Sequence, residues 1–287
     1  MKKLLFTSII GLSLVLLAAC GSDGGEDELA KLKEDGVVKV GFANEEPYAY
    51  KEGDEIKGAA VDIAEAVFKE LGVDEIDPQL ADFSELIPSL KANKFDVVTA
   101  GMAITPDRCK SVSFGEPEMK YGEGLIVKKG NPKNLKSYKD IADNKDIKVS
   151  VMSGATENEF LTSEGVDEKQ IQSASDIPAT FSAVSSGRAD ATTGTEMTIK
   201  MALESSDNDD LEFVESFEQP DVEGNPSYGA AAFRDDSDEL RKAYNEKLKE
   251  LKEDGTVAKL LEKNGFSEEM NTVESEVTAK KVCDGEY

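Results

Sequence analysis

The chain has 287 residues, with 59 acidic against 33 basic side chains, a net charge of −26, and no histidine. That excess of negative charge excludes a nucleic-acid backbone as a partner. Without histidine there is no Ser-His-Asp triad, no imidazole base and no histidine metal ligand. The first 20 residues read as a targeting segment rather than as part of a fold. Met1-Lys2-Lys3 is a charged start, Leu4 to Leu17 is mostly apolar, and Leu17-Ala18-Ala19-Cys20 has the form of a lipobox whose cysteine becomes lipidated and N-terminal. The apolar run is short for a membrane span. Residues 21–35 begin Gly-Ser-Asp-Gly-Gly and read as a flexible tether.

Beyond the tether, strands alternate with helices. Val37 to Phe42 is a strand, with residues 44–50 as the loop leaving it. Ile63, Ala64, Val67, Phe68 and Leu71 share one face of a helix that Gly72 ends. A strand follows at 76–80, then a helix to about Ala92 with Ser84 as its expected N-cap. Tyr121 to Lys128 is a strand carrying two glycines. After Asn131-Pro132 the alternation restarts, with helices near 137–142, 156–164, 177–186 and 196–203 and strands near 147–151 and 189–192. Tyr228 to Phe233 is a returning strand, followed by a long helix from Asp238 to Asp254 and a short one to Lys263. This alternation predicts an α/β fold with largely parallel sheets.

Residues 95–117 carry the densest chemistry. Phe95 to Val98 is an apolar, buried-strand pattern, and Thr99, Ala100 and Gly101 let a backbone approach a ligand closely. Thr105-Pro106 turns the chain, and Arg108 falls in the first turn of a short helix. A guanidinium there matches both oxygens of a carboxylate. Taken alone, Arg108 is equally a solvated surface charge.

Phe95-Asp96, Gly101-Met102, Ile104-Thr105, Arg108 and Phe114-Gly-Glu-Pro117 together resemble the signature of the polar amino-acid-binding proteins of ABC importers, family 3 of the extracellular solute-binding proteins. Within that family, the stretches at 41–50, 108–110, 128–133 and 229–234 are similar to the branch that binds ectoine and hydroxyectoine. The resemblance implies a type II periplasmic-binding-protein fold of two lobes, each a sheet flanked by helices, joined by two crossing strands. Lobe 1 is then expected at 36–121 plus 228–287 and lobe 2 at 122–227.

The resemblance also implies a site. Arg108 and backbone N–H groups around Gly101 and Ala103 take the solute's carboxylate, and Thr156 of Gly154-Ala-Thr adds a hydroxyl, unless it is only a helix cap. Glu45 faces a cationic group, unless it is a surface carboxylate. Tyr48 and Phe83 stack on the solute, unless Phe83 is a core aromatic. Amino-acid binders usually hold the α-ammonium with an aspartate where this chain has Thr195, which points to a solute without a primary α-amine. Ala103 stands where the ectoine branch has a third aromatic, which leaves one wall open or filled from elsewhere, as by Phe160. The expected solute is therefore a zwitterion such as ectoine or hydroxyectoine, with a polar amino acid or a betaine as alternatives.

The expected partners are an ABC permease with its ATPase, and the membrane through the lipid anchor only. The protein is expected to be a monomer with no cofactor, metal or catalysis. A dehydratase-type enzyme on the same scaffold would have Glu45 as its acid or base. Cys109 and Cys283 remain after Cys20. An even count in an oxidising compartment predicts a bridge between them, the alternative being two buried thiols.

Overall fold

The computed structural model describes residues 24–206 and 208–287. The lipobox and Cys20 lie outside the described residues. Helix α1 (Gly24–Asp35) leads into strand β1 (Val37–Phe42). A hairpin of β2 (Tyr50–Glu52) and β3 (Glu55–Lys57) precedes helix α2 (Ala59–Glu70), strand β4 (Glu75–Leu80), a 3-10 turn at Phe83–Glu85 and helix α3 (Leu86–Lys91). Strands β5 (Val97–Val98), β6 (Ser113–Phe114) and β7 (Met119–Tyr121) follow, with a second 3-10 turn at Arg108–Lys110. The second alternation runs β8 (Glu123–Lys128), α4 (Tyr138–Asp143), β9 (Val149–Met152), α5 (Glu157–Ser163), β10 (Ile171–Ala174), α6 (Ile177–Ser185), β11 (Ala191–Thr195), α7 (Glu196–Ser205) and β12 (Leu211–Phe213). The chain returns through β13 (Ser227–Gly229) and β14 (Ala232–Phe233) and ends in α8 (Asp238–Glu253), α9 (Thr256–Lys263), α10 (Glu268–Asn271) and α11 (Ala279–Cys283).

Two five-stranded sheets result, one per lobe. The first has the order β4-β1-β5-β14-β6, and the second β10-β9-β11-β8-β12. Strand β1 runs parallel to both β4 and β5, and β9 runs parallel to both β10 and β11. The last two strands of each sheet are antiparallel additions. Strands β7 and β13 pair antiparallel, Ser227 opposite Tyr121, and carry the chain between the sheets. The parallel strands all deliver loops to one end, where open α/β sheets bind ligands.

The tether expectation is corrected from Gly24 onward, where the chain is helical. Leu32 is buried, Leu29 packs on the same core, and Glu28 pairs with the half-buried Arg234. Helix α1 lies on α8, so a partner distant in sequence supplies the apolar face that this polar stretch cannot supply for itself. Ser84 is not a helix cap; it sits within the 3-10 turn. The strand expected to open at Phe95 is confined to Val97–Val98. The Phe95 ring instead packs over Gly41, where an added Cβ would lie 2.4 Å from it. Strands β10 and β12 and helices α10 and α11 are short, and sequence periodicity did not mark them. The tail closes against lobe 1 through buried Val277, Ala279 and Val282, and the Sγ atoms of Cys109 and Cys283 are bonded.

Candidate functional site

All eight residues nominated as ligand contacts line one cavity between the lobes. Lobe 1 supplies Glu45, Tyr48, Phe83, Gly101, Ala103 and Arg108, and lobe 2 supplies Thr156 and Thr195. The space not filled by atoms is about 470 Å³, open mouth included.

Arg108 follows Pro106 into the 3-10 turn, and its backbone N–H donates to Thr105 Oγ1 at 3.1 Å. Its Nη1 donates to the Ala103 carbonyl and its Nη2 to the Gly154 carbonyl, both at 2.8 Å. The first bond fixes the side chain within lobe 1, and the second crosses to lobe 2. A guanidinium has five N–H donors, so these two bonds leave donors for an anion. The guanidinium carbon stands 5.3 Å from the centroid of the Phe83 ring. Phe83 is half-buried and touches the cores of both lobes, so it is neither a purely internal aromatic nor a free one.

The lobes meet closely here. Gly154 has φ +84°, and a Cβ on it would come 3.1 Å from Ser84 Cα in the other lobe. Gly101 has φ +59°, and a Cβ there would collide with the Tyr48 ring at 2.3 Å. Both positions therefore need glycine for conformation and for space. Ala103 bridges to Gly229, but the flanking bonds carry that bridge: Ile104 N–H to the Tyr228 carbonyl and Ala230 N–H to the Met102 carbonyl. The Ala103 N–H is not consumed by it.

Glu45 and Tyr48 are presented by a tight turn closed by bonds between the Glu45 and Ala49 backbones, at 2.8 and 3.0 Å. Tyr48 is buried edge-on against Tyr121, with centroids 5.2 Å apart, and against Phe266 at 5.3 Å. Its hydroxyl and Glu45 Oε1 are buried without a hydrogen-bond partner. Burial first, and the Glu157 carboxylate second, push the Glu45 carboxyl up to about 8, against the pull of Arg108. Thr156 stands at the N-cap position of α5, yet its hydroxyl makes no capping bond. Thr195 Oγ1 donates to Thr198 Oγ1 at 3.0 Å.

Three residues of the site escaped the sequence reading. Tyr121, from the crossing strand β7, lines the cavity and bonds the Gly101 carbonyl at 2.5 Å. It supplies an aromatic wall besides Tyr48 and Phe83. Phe160 does not: it is buried in the lobe 2 core, outside this cavity. Glu157 follows Thr156 directly and also lines the cavity. Glu123, the first residue of β8, sits against Glu157. Both carboxyls are almost fully buried, at 4% and 1% exposure, and both are pushed up by burial, Glu123 well above the carboxylate range with the Glu157 charge adding to it. Glu157 is pulled back by its own backbone N–H, by Glu123, by Arg108 and by the Thr195 N–H. The visible signal was a carboxylate between two glycines at the head of the apolar run Leu125-Ile126-Val127. An acid in a helix's first turn, as Glu157 is, reads simply as a dipole partner.

The profile of the bacterial extracellular solute-binding proteins, family 3, matches residues 38–267. A probable amino-acid ABC transporter periplasmic-binding protein of Sinorhizobium fredii, y4tE, is 35% identical over 90% of this chain and 87% of its own. The arginine-binding extracellular protein ArtP of Bacillus subtilis is 33% identical, over 92% of this chain and 98% of its own. Among solved structures, EhuB in complex with hydroxyectoine superposes with a TM-score of 0.81 at 34% identity, covering 90% of this chain and 98% of that one. Among the described residues, no helix is long and apolar enough to cross a membrane.

Proposed function

This chain belongs to the bacterial extracellular solute-binding proteins, family 3, the extracytoplasmic components that deliver small solutes to ABC permeases, and on that premise we propose that it captures a zwitterionic solute of the ectoine and hydroxyectoine class. One observation carries the reading: Arg108 and Glu45 face the same interlobe cavity, with the rings of Tyr48, Phe83 and Tyr121 beside them. A solute with a carboxylate at one end and a delocalised cation at the other matches that polarity. Arg108, helped by the Ala103 N–H and Thr156, takes the carboxylate. Glu45 takes the cation, and the aromatic faces contribute cation–π attraction, worth up to about 2 kcal/mol when desolvated. The Arg108 bond to the Gly154 carbonyl supports closure of the lobes over the bound solute.

The protein in this reading is a lipid-anchored monomer. The lipobox at Cys20 is the support for the anchor. It binds without turnover, with Glu45 acting as a counter-ion to the solute. The domain division follows the crossing ribbon, with 36–121 plus 228–287 as lobe 1 and 122–227 as lobe 2. Helix α1 belongs with lobe 1.

A cationic amino acid is the second reading, favoured by the additional carboxylate of Glu157 and by the name of the ArtP relative. Isothermal titration with ectoine, glycine betaine, glutamine and arginine in parallel separates the readings. Micromolar or tighter binding of ectoine is expected, with the solute recovered unchanged by mass spectrometry. Binding of glutamine or arginine with ectoine silent would retain the importer role and overturn the solute. Conversion of any of them would overturn the non-enzymatic reading.

A further inference from the structure

The cation end of the cavity holds more acid than one zwitterion needs. Glu45 comes from lobe 1 and Glu157 from lobe 2, and each aims a buried oxygen, Oε1 and Oε2 respectively, that has no hydrogen-bond partner. Glu157 is 4% exposed. Behind it Glu123 is 1% exposed, and neither of its oxygens bonds a protein donor. A buried acceptor left unpaired costs far more than an ordinary hydrogen bond contributes. Among the described residues the one other buried carboxyl, Glu118, is partly served, by the Tyr244 hydroxyl at 2.7 Å. The open oxygens of Glu45 and Glu157, the two carboxyls that line the cavity, therefore call for donors that arrive with the solute.

We propose that Glu45 and Glu157, one carboxyl from each lobe, together clamp an N–H-bearing cationic group of the solute, that Glu123 braces Glu157 from behind, and that quaternary ammonium solutes are thereby excluded. The inference rests on the reading of the cavity as a solute site and narrows the class of solute. An amidinium, guanidinium or ammonium group presents at least two N–H donors and satisfies both lobes at once. A quaternary ammonium presents only C–H groups and leaves both oxygens unpaired. Glu123 touches no solute and is a positioning residue: its carboxyl shares a hydrogen bond with that of Glu157 and holds it in place beside the cavity.

Proton release follows. The charged and titratable groups facing Glu45 are Glu157 on α5, Arg108, and the Tyr48 and Tyr121 phenols. Those facing Glu157 are Glu45, Glu123, Arg108 and the Tyr121 and Tyr138 phenols. With its carboxyl at about 8, Glu45 is mostly protonated at pH 7. An arriving cation lowers that value and displaces the proton. Affinity for the cation is then greatest above pH 8 and falls as pH drops below it.

The test is titration calorimetry of the full-length protein at pH 7 with ectoine, arginine and glycine betaine, each in two buffers of different ionisation enthalpy. The expected result is binding of ectoine or arginine with release of close to one proton per solute, and betaine weaker by roughly 100-fold. Glu157→Gln is expected to weaken the N–H cation by roughly 10- to 100-fold. Glu123→Gln, which still offers an N–H to Glu157, is expected to restore most of what Glu123→Ala loses. The proton count is measured on the wild type and does not depend on a variant folding. Betaine binding as tightly as the N–H cations, or binding of those cations without proton release, overturns this inference and leaves the importer reading intact. Unchanged affinity in a folded Glu157→Gln does the same. Silence of all three probes overturns the proposed solute class and this inference with it.

Discussion

Two buried glutamates flank the crossing strand β7 and have opposite surroundings. Glu118 enters the lobe 1 core, where the Tyr244 hydroxyl donates to it at 2.7 Å and Lys252, bonded to the Pro117 carbonyl, lies near. Glu123 enters the interlobe region, where its neighbour is another acid, Glu157. Both are 1% exposed, and burial is the largest cause of the upward shift in each. The difference lies in what offsets that burial. A phenol and an ammonium from the protein itself relieve Glu118, although its Oε2 also has no partner. The acids around the cavity have one countercharge, Arg108, and oxygens left open. Equal burial with unlike countercharges thus distinguishes the two glutamates.

The largest expected effect sharpens this contrast. Arg108→Ala removes the one positive charge of the cavity, its bond across to Gly154 and the carboxylate clamp. Solute binding should weaken by about 100-fold or more, roughly 3 kcal/mol. Small-angle scattering should show a wider molecule at saturating solute, while the melting temperature of the free protein changes little. A large fall in that melting temperature would make Arg108 a structural residue like Glu118.

Glu118 gives the converse test. Its carboxyl is raised to about 7 from an ordinary 4.5. A raised folded-state value means that its contribution to stability is fully present below pH 4.5 and is lost as pH rises through 7. Glu118→Gln should flatten the fall in unfolding free energy across that window, by up to about 3 kcal/mol. Solute affinity at pH 7 should stay as it was. A change in affinity of tenfold or more would dissolve the distinction between the two glutamates.

The smallest effect concerns the far side of lobe 1. A chain beginning at residue 36 lacks α1, with the burial of Leu32 and the Glu28–Arg234 pair. After the entropy of ordering the helix is set against that burial, the loss should be about 1–2 kcal/mol, seen as a lower denaturant midpoint. Solute binding is expected to be unchanged, because α1 does not line the cavity.

Much of the cavity lining was legible, partly from local patterns and partly from the family resemblance. Arg108 follows a Thr-Pro turn after a strand, and Glu45 and Tyr48 lie in the loop leaving the first strand, so each could be placed at the ligand end of a sheet. The pairing of Cys109 with Cys283 followed from parity and compartment, and the two are bonded. Tyr121, Glu123 and Glu157 were not legible, since their meaning depends on which segments the crossing ribbon brings together. Helix α1 was missed for a related reason: its stabilising face is a groove on α8.

The sequence by itself determined the alternation of strands and helices, the family signature, and the residue types available to the cavity. These depend on periodicity and on short-range backbone preferences, which each stretch carries with it. Only the tertiary structure decided which of the many carboxylates are dry. Desolvation depends on atoms brought in from other segments, and a glutamate reads the same in the sequence whether water or another acid stands beside it.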